Sequence, residues 1–381
     1  MLKVLRKLRA LKKSLIDHRP LIEVLIYKDR LIANFNEYKK TYPQLQLAPV
    51  LKSNAYGHGL VEVAEILDRQ QNAFFVVDSL FEARALRHNQ IKSKILVIGY
   101  TSAENINSCR LQDLAFTLTS LEQLREIAEQ LRWGMRLHIK IDTGMHRQGI
   151  LPEEIEQAVA LIKSNKLIEL EGVCSHFADA DNSDQEFSKK QIAVWQQVVQ
   201  KFKQEFQTIK YWHLANTAGT YYSDQVDCNV ARLGGGLYGY GKSPFVKLNL
   251  KPTLQMQSII SSIRPVRAGE FVGYNLEYQA EHEIRAATIP VGYFEGMDRR
   301  LSNRGIVQVS GCDCPVIGLV SMNITSIDVS AVPEAKLGDA VVVISSDPVA
   351  PNSAENIAKL TGANPREILV HIPQHLRRTV I

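Results

Sequence analysis

Cysteine is scarce in this 381-residue chain, with five residues at Cys109, Cys174, Cys228, Cys312 and Cys314. An odd and scattered set excludes a disulfide framework, and Cys312-Asp313-Cys314 is too tight for a two-ligand zinc turn. No metal is therefore expected, and a reducing cytoplasm is the simplest setting. No apolar stretch reaches the length of a membrane-crossing helix, and no uninterrupted apolar segment of secretory type follows the basic start. The charge imbalance is also small, at +5. Part of it lies in residues 1–18, where Lys3, Arg6, Lys7, Arg9, Lys12 and Lys13 interleave with Leu2, Val4, Leu5, Leu8 and Leu11. That pattern predicts a basic amphipathic helix packed by its leucines, rather than a membrane anchor or a nucleic-acid arm.

Hydrophobic residues make up 45% of the chain, enough for a large buried core. From about residue 19, short apolar runs of β type alternate with longer helical patterns. Candidate strands are Leu47–Lys52, Phe74–Asp78, Ile95–Gly99, Ala115–Leu118, Leu137–Asp142, Gly172–Phe177, Tyr211–Asn216 and Asn229–Gly234. Candidate helices between them include Val61–Arg69, Leu80–His88, Ser120–Leu131, Glu153–Lys163 and Gln185–Phe206. Such repetition over residues 19–251 predicts an α/β fold, a closed (β/α)8 barrel with its active site at the carboxyl ends of the strands; the alternative is a doubly wound open sheet, which would not bring the polar strand ends to one place. Polar residues fall at those ends: Lys52, Lys140, Arg147, His176, Asn216, Thr217 and Arg232. After Pro252 the pattern changes to short alternating runs broken by Gly, Asn and Pro, which predicts a mainly antiparallel β domain over residues 252–381.

A lysine that ends an apolar strand and enters a glycine-containing loop is placed to be desolvated and nucleophilic toward an aldehyde. Lys52 has that setting, which a Schiff-base aldolase would share. Its surroundings, LKSNAYGHG, resemble the cofactor-attachment segment of the alanine racemase family, whose lysine holds pyridoxal 5'-phosphate as a Schiff base and whose tyrosine four residues later contacts the phosphate. Lys52 and Tyr56 occupy those places, with His58 as a loop-orienting residue.

Further segments resemble the family in order along almost the whole chain. KIDTGMHRQG implies that Arg147 bonds the cofactor's phenolic oxygen and sits near the substrate carboxylate. Lys140, at the position many members carry carbamylated, would hold that arginine. GVCSHFADAD places His176 against the pyridine face and Asp181 toward the entrance. WHLANTAG offers His213 as a partner for the pyridine-side arginine, with Asn216 and Thr217 at the phosphate. RLGGGLYG supplies Arg232, with Gly234, Gly235 and Leu237 exposing backbone amides to phosphate oxygens.

An always-charged guanidinium at the ring nitrogen discourages its protonation and keeps the carbanion at Cα, which favours racemisation over transamination. Racemisation needs a base on each face. Lys52 would be one. FVGYNLEY resembles the family segment that makes Tyr274 the other, acting from the partner subunit of a homodimer. Tyr293 and Arg299 would line the entrance, and Met322 would offer its backbone amide to the substrate carboxylate. The implied activity is interconversion of L- and D-alanine, supplying D-alanine for peptidoglycan.

Departures from the family gather at the entrance. GLVSMN puts Leu319 and Asn323 where an arginine and an aspartate are usual, GYFEG replaces GYADG, and IPQHLRR aligns Gln374 with a tyrosine that touches the phosphate and narrows the channel. Racemisation of serine or of a broader set of amino acids is the alternative these imply. A non-catalytic pyridoxal-phosphate-binding protein would need neither Tyr274 nor the second domain, and a decarboxylase would need a cysteine in a segment that this chain does not match.

Overall fold

The computed structural model describes residues 20–241 and 243–381, so the expected basic helix at residues 1–18 lies outside the described residues. They form two compact units. One, the sheet unit, comprises residues 20–25, 256–344 and 375–379. The other, the barrel unit, comprises residues 26–255, 345–374 and 380–381.

The first strand, β1 (Glu23–Ile26), belongs to the nine-stranded sheet of the sheet unit. It is followed by α1 (Lys28–Thr41), which the alternation pattern does not reveal. The buried face of α1, Leu31, Asn34, Phe35 and Tyr38, has helical spacing but includes an asparagine. Its amide Nδ2 donates to Leu237 O at 3.1 Å and Lys251 O at 2.8 Å, which satisfies the group inside the core.

All eight expected barrel strands are present: β2 (Gln46–Pro49), β3 (Phe75–Val77), β4 (Ile95–Val97), β5 (Leu114–Leu118), β6 (Met135–Lys140), β7 (Ile168–Cys174), β8 (Tyr211–His213) and β9 (Val230–Leu233). Strands β3 to β8 pair in sequential parallel order, and β2 pairs in parallel with β9. Hydrogen bonds just beyond the strands close the ring. Ala73 N donates to Leu47 O and Leu51 N to Val76 O on one side, and Asn229 N to Trp212 O and Arg232 N to Ala215 O on the other. Between the strands lie α2 (Leu60–Leu67), α3 (Leu80–His88), α4 (Ala103–Ser108), α5 (Leu121–Gln130), α6 (Ile155–Ser164) and α7 (Glu186–Glu205).

The remaining strands of the sheet unit are β10 (Leu254–Ile259), β11 (Ser262–Val266), β12 (Ile284–Ile289), β13 (Ile306–Val309), β14 (Cys312–Ile317), β15 (Thr325–Asp328), β16 (Ala340–Ile344) and β17 (Arg377–Val380). Their order is β11-β12-β15-β14-β13-β16-β10-β1-β17, and β11 to β15 pair antiparallel, with strict alternation of buried side chains along β13 and β15. Residues 345–374 carry two further helices, α8 (Ala354–Thr361) and α9 (Pro365–Val370), and both belong to the barrel unit. Strand periodicity after Pro252 gave no sign of them.

Candidate active site

A cavity of about 660 Å³ opens at the carboxyl ends of the barrel strands. Its lining includes Lys52, Tyr56, Lys140, Arg147, His176, His213, Asn216, Thr217, Arg232 and Gly234, ten residues that the sequence singles out in five separate segments.

Lys52 follows β2 and opens a left-handed turn. Ser53, Asn54, Ala55 and Tyr56 all have positive φ, between 52° and 56°. Left-handed backbone costs L-residues roughly 1–2 kcal/mol each, so this run persists only because its surroundings hold it. Ser53 N donates to Glu82 Oε1 at 2.7 Å, Leu60 N to Asn54 Oδ1 at 2.9 Å, and Ala55 N to Leu51 O at 2.7 Å. His58, fully buried, places Nδ1 3.0 Å from the carbonyls of Ala55 and Tyr56, the orienting role expected of it. Glu82 also accepts from Asp78 N at 2.7 Å and completes a capping box with Ser79 at the start of α3. One carboxylate thus ties the Lys52 turn to the end of β3. Sequence reasoning passed over it, although Ser79-Leu80-Phe81-Glu82 carries the capping-box signature. Lys52 Nζ pairs with Asp78 Oδ1 at 3.5 Å.

Arg232 is buried and heavily engaged. It donates to His213 Nδ1 at 2.6 Å, His213 O at 2.5 Å, Ser175 O at 2.6 Å, Leu214 O at 3.3 Å and His176 Nδ1 at 2.9 Å. A guanidinium only donates, so both imidazoles must accept from it on Nδ1. Burial, then the charge of Arg232, holds both His176 and His213 well below the usual histidine range, and both are neutral with their proton on Nε2. His213 Nε2 then donates to His138 Nδ1 at 2.8 Å. His138, its own pKa lowered by burial, presents Nε2–H to Glu171 Oε2 at 3.7 Å. The His138 ring fits only because residue 172 is glycine, where a Cβ would meet it at 2.5 Å. Burial works to raise the pKa of Glu171, but His138 and Lys94 Nζ at 3.3 Å hold the carboxyl down at about 2. A buried polar chain therefore runs from the cavity through the barrel core to the amino ends of the strands. Glu171 and His138 gave no sequence signal beyond being polar residues within apolar strands.

The loop after β6 carries Arg147. Asp142 Oδ1 accepts from Gly144 N and His146 N, and Gly149, at φ 138°, packs where a Cβ would lie 2.5 Å from Asp142 N. Lys140 donates to Gln148 O within this loop. Burial, followed by the charges of Arg147 and Arg232, lowers the Lys140 pKa. Opposite, Thr217 Oγ1 accepts from Gly234 N at 3.1 Å and Gly236 N at 3.4 Å, and Asn216 Oδ1 accepts from Gly219 N at 2.8 Å. A Cβ on Gly234 would lie 2.6 Å from Tyr56 Oη. Burial raises the Tyr56 pKa, and the charge of Arg366 opposes it.

Gln374, expected at this end of the site, is exposed and does not line the cavity. The lining residue from the last part of the chain is Arg366, on α9. Nothing in the local sequence pattern marks the helix that carries Arg366.

Tyr274, Tyr293 and Met322 belong to the sheet unit and do not line the cavity of the barrel unit. Tyr274 is 69% exposed, Tyr293 45% and Met322 55%. Tyr293 N bonds Ser321 O and Phe294 N bonds Met322 O, so the structure brings the last two together. Two departures also meet there: Asn323 Nδ2 donates to Glu295 Oε1 at 2.7 Å, which makes the glutamate of GYFEG and the asparagine of GLVSMN partners in one contact.

An amine, three arginines, a second lysine and a cradle of small residues at the mouth of a parallel barrel define an enzyme site for a small anionic ligand. The family model for "Alanine racemase, N-terminal domain" matches residues 26–242, and that for "Alanine racemase, C-terminal domain" matches residues 253–380. The chain is 35% identical to an alanine racemase of Staphylococcus saprophyticus over 91% of both chains. It is 34% identical to that of Carboxydothermus hydrogenoformans, over 91% of this chain and 96% of the relative. Among solved structures it resembles alanine racemase from Bacillus anthracis with bound L-Ala-P, at 30% identity, TM-score 0.88 and 96% coverage of each chain. The chain belongs to the alanine racemase family and is an amino-acid racemase, an isomerase. Among the described residues, no helix is long and apolar enough to cross a membrane, and no group of His, Cys, Asp and Glu has the arrangement of a metal site.

Proposed function

We propose that this chain interconverts L- and D-alanine with pyridoxal 5'-phosphate held covalently by Lys52, and that it does so as a homodimer with two bases. The observation that carries the reading is the convergence of Lys52, Arg232 and the Gly234 cradle on one cavity.

The residues present fit the cofactor. Tyr56, Thr217 and the glycine loop form a cradle that a Cβ at Gly234 would fill, and the hydroxyl of Thr217 already organises two of its amides. Thr117 Oγ1, buried on β5 in the cavity lining, has no hydrogen-bond partner among the described residues and is open to a polar ligand atom. When bound, pyridoxal phosphate supplies an electron-withdrawing ring conjugated to the amino acid nitrogen, which acidifies the Cα proton. Tyr56, Asn216, Thr217 and Gly234 would hold the phosphate, His176 would pack on the ring face, and Arg147 would meet the substrate carboxylate. Arg232 would stand at the ring nitrogen. Five bonds pin its guanidinium, and the two histidines it faces are neutral acceptors, so it offers an N–H and takes none.

Lys52 Nζ, once free, exchanges the Cα proton at one face and Tyr274 of the partner subunit at the other. Supporting the partner role, Tyr274 is exposed, as are the apolar side chains of Phe271, Leu276, Phe294, Met322 and Ile324 in the same unit. Tyr293 and the Met322 amide, held together by backbone bonds, would line the entrance beside it. In this reading residues 19–251 bind most of the cofactor, and residues 252–381 bring the second base together with the 345–374 segment that belongs to the barrel unit. The five unpaired cysteines fit a cytoplasmic enzyme, and D-alanine for peptidoglycan is the product's use.

Alanine is the favoured substrate because the Asn323 amide is occupied by Glu295 and Gln374 is absent from the cavity lining, so neither departure enlarges the site. Incorporation of solvent deuterium at Cα, measured by mass spectrometry across a panel of L-amino acids, should single out alanine. Serine or larger amino acids exchanging as fast would replace that assignment with a broad one.

A further inference from the structure

We propose that Arg366 supplies the cationic contact for the cofactor's phosphate, a role that the sequence assigned to no residue. The inference rests on the pyridoxal-phosphate reading above.

The other cavity cations are committed or placed elsewhere. Lys52 pairs with Asp78, Arg232 is pinned by two imidazoles and three carbonyls, and Lys140 donates to Gln148 O. Arg147 stands on the loop after β6. The groups at the phosphate end, Tyr56, Thr217 and the amides of the glycine loop, are all neutral, yet the ligand there is a dianion. Arg366 lies at that end. Its Nε would stand 3.1 Å from a Cβ on Gly235, and its charge acts on the Tyr56 hydroxyl. Its guanidinium makes no hydrogen bond or salt bridge to any other described residue, although its backbone N–H is anchored on Asn364 Oδ1 at 3.0 Å. A planar fork of donors, free and held on a short helix beside a glycine cradle, matches two oxygens of a phosphate. It also accounts for a chain that has Gln374 rather than tyrosine in IPQHLRR: the contact comes from α9 instead.

The test compares two probes on the full-length apoprotein, pyridoxal 5'-phosphate and phosphate-free pyridoxal, each titrated by visible absorbance. Arg366→Met should weaken pyridoxal phosphate on the order of tenfold or more and leave pyridoxal unchanged. Arg366→Lys should recover part of the loss, because it keeps the charge without the fork. Equal weakening of both probes, or no weakening of pyridoxal phosphate, overturns the inference. A wild-type protein with no affinity for pyridoxal phosphate would sink the cofactor reading itself and this inference with it. Because the Arg366 side chain is exposed, thermal melting of the variant apoprotein should match wild type, which separates ligand loss from misfolding.

Discussion

The barrel has charged clusters at both ends of its strands, and they could hardly differ more in use. At the carboxyl ends, Lys52, Lys140, Arg147, Arg232 and Arg366 surround about 660 Å³ of open space. At the amino ends, Glu171, Lys94, Arg136 and His138 surround about 10 Å³. The first is a surplus of one sign facing a void, which is a demand for an anionic ligand. The second pairs its charges internally and asks for nothing. His213 and His138 connect the two, so the closed cluster serves as the anchor for an arginine in the open one. Charge near a barrel axis therefore marks a site only when a cavity leaves it unanswered.

The comparison breaks most sharply at Lys52. Lys52→Ala should lower racemisation roughly 10⁴-fold and abolish the visible absorbance that borohydride traps in wild type. Its melting should barely move, since the Lys52–Asp78 pair is partly exposed. An active, coloured variant would put the nucleophile elsewhere.

Tyr274→Phe asks whether the open cluster is complete without the second base. Absorbance should persist while racemisation falls about 10²–10⁴-fold. One enantiomer should still exchange its Cα hydrogen with retention, through Lys52, and the other should not. Equal residual exchange from both would remove Tyr274 from the chemistry.

At the closed end the pattern should invert. Glu171→Gln strands Lys94 and loosens His138, at a cost of about 1–3 kcal/mol in denaturant unfolding, with smaller effects on turnover than either variant above. A variant of full stability would show that the closed cluster anchors nothing.

The last effect is on pH and leaves turnover near neutrality unchanged. The folded pKa values of His138 and His213 lie below the unfolded value near 6.5, so unfolding takes up their protons. Stability should be complete above that value and decline as pH falls from about 6.5 toward the folded pKa values, by roughly 1.4 kcal/mol per pH unit for each histidine. Urea unfolding at pH 7.5, 6.5 and 5.5 measures the slope, and replacing His138 with glutamine should reduce it.

Much of this is legible in the sequence. Apolar runs of β type, separated by helical periodicity, located all eight barrel strands, because burial inside a parallel barrel demands continuous apolar residues. The site loops were legible because a left-handed turn, an arginine loop and a glycine cradle each constrain a contiguous stretch. The short mixed strand β15 and helix α1, with Asn34 on its buried face, were not, since their burial depends on partners far along the chain.

What the sequence determined alone was thus the alternation that makes a barrel and the segments that carry Lys52, Arg147, Arg232 and Tyr274. Only the tertiary structure decided that residues 345–374 join the barrel unit, that Arg366 rather than Gln374 lines the cavity, and that Asn323 answers Glu295. The reason is physical. Local pattern records how one stretch of chain is buried, whereas a charge acquires its role from the distant atoms that do or do not meet it.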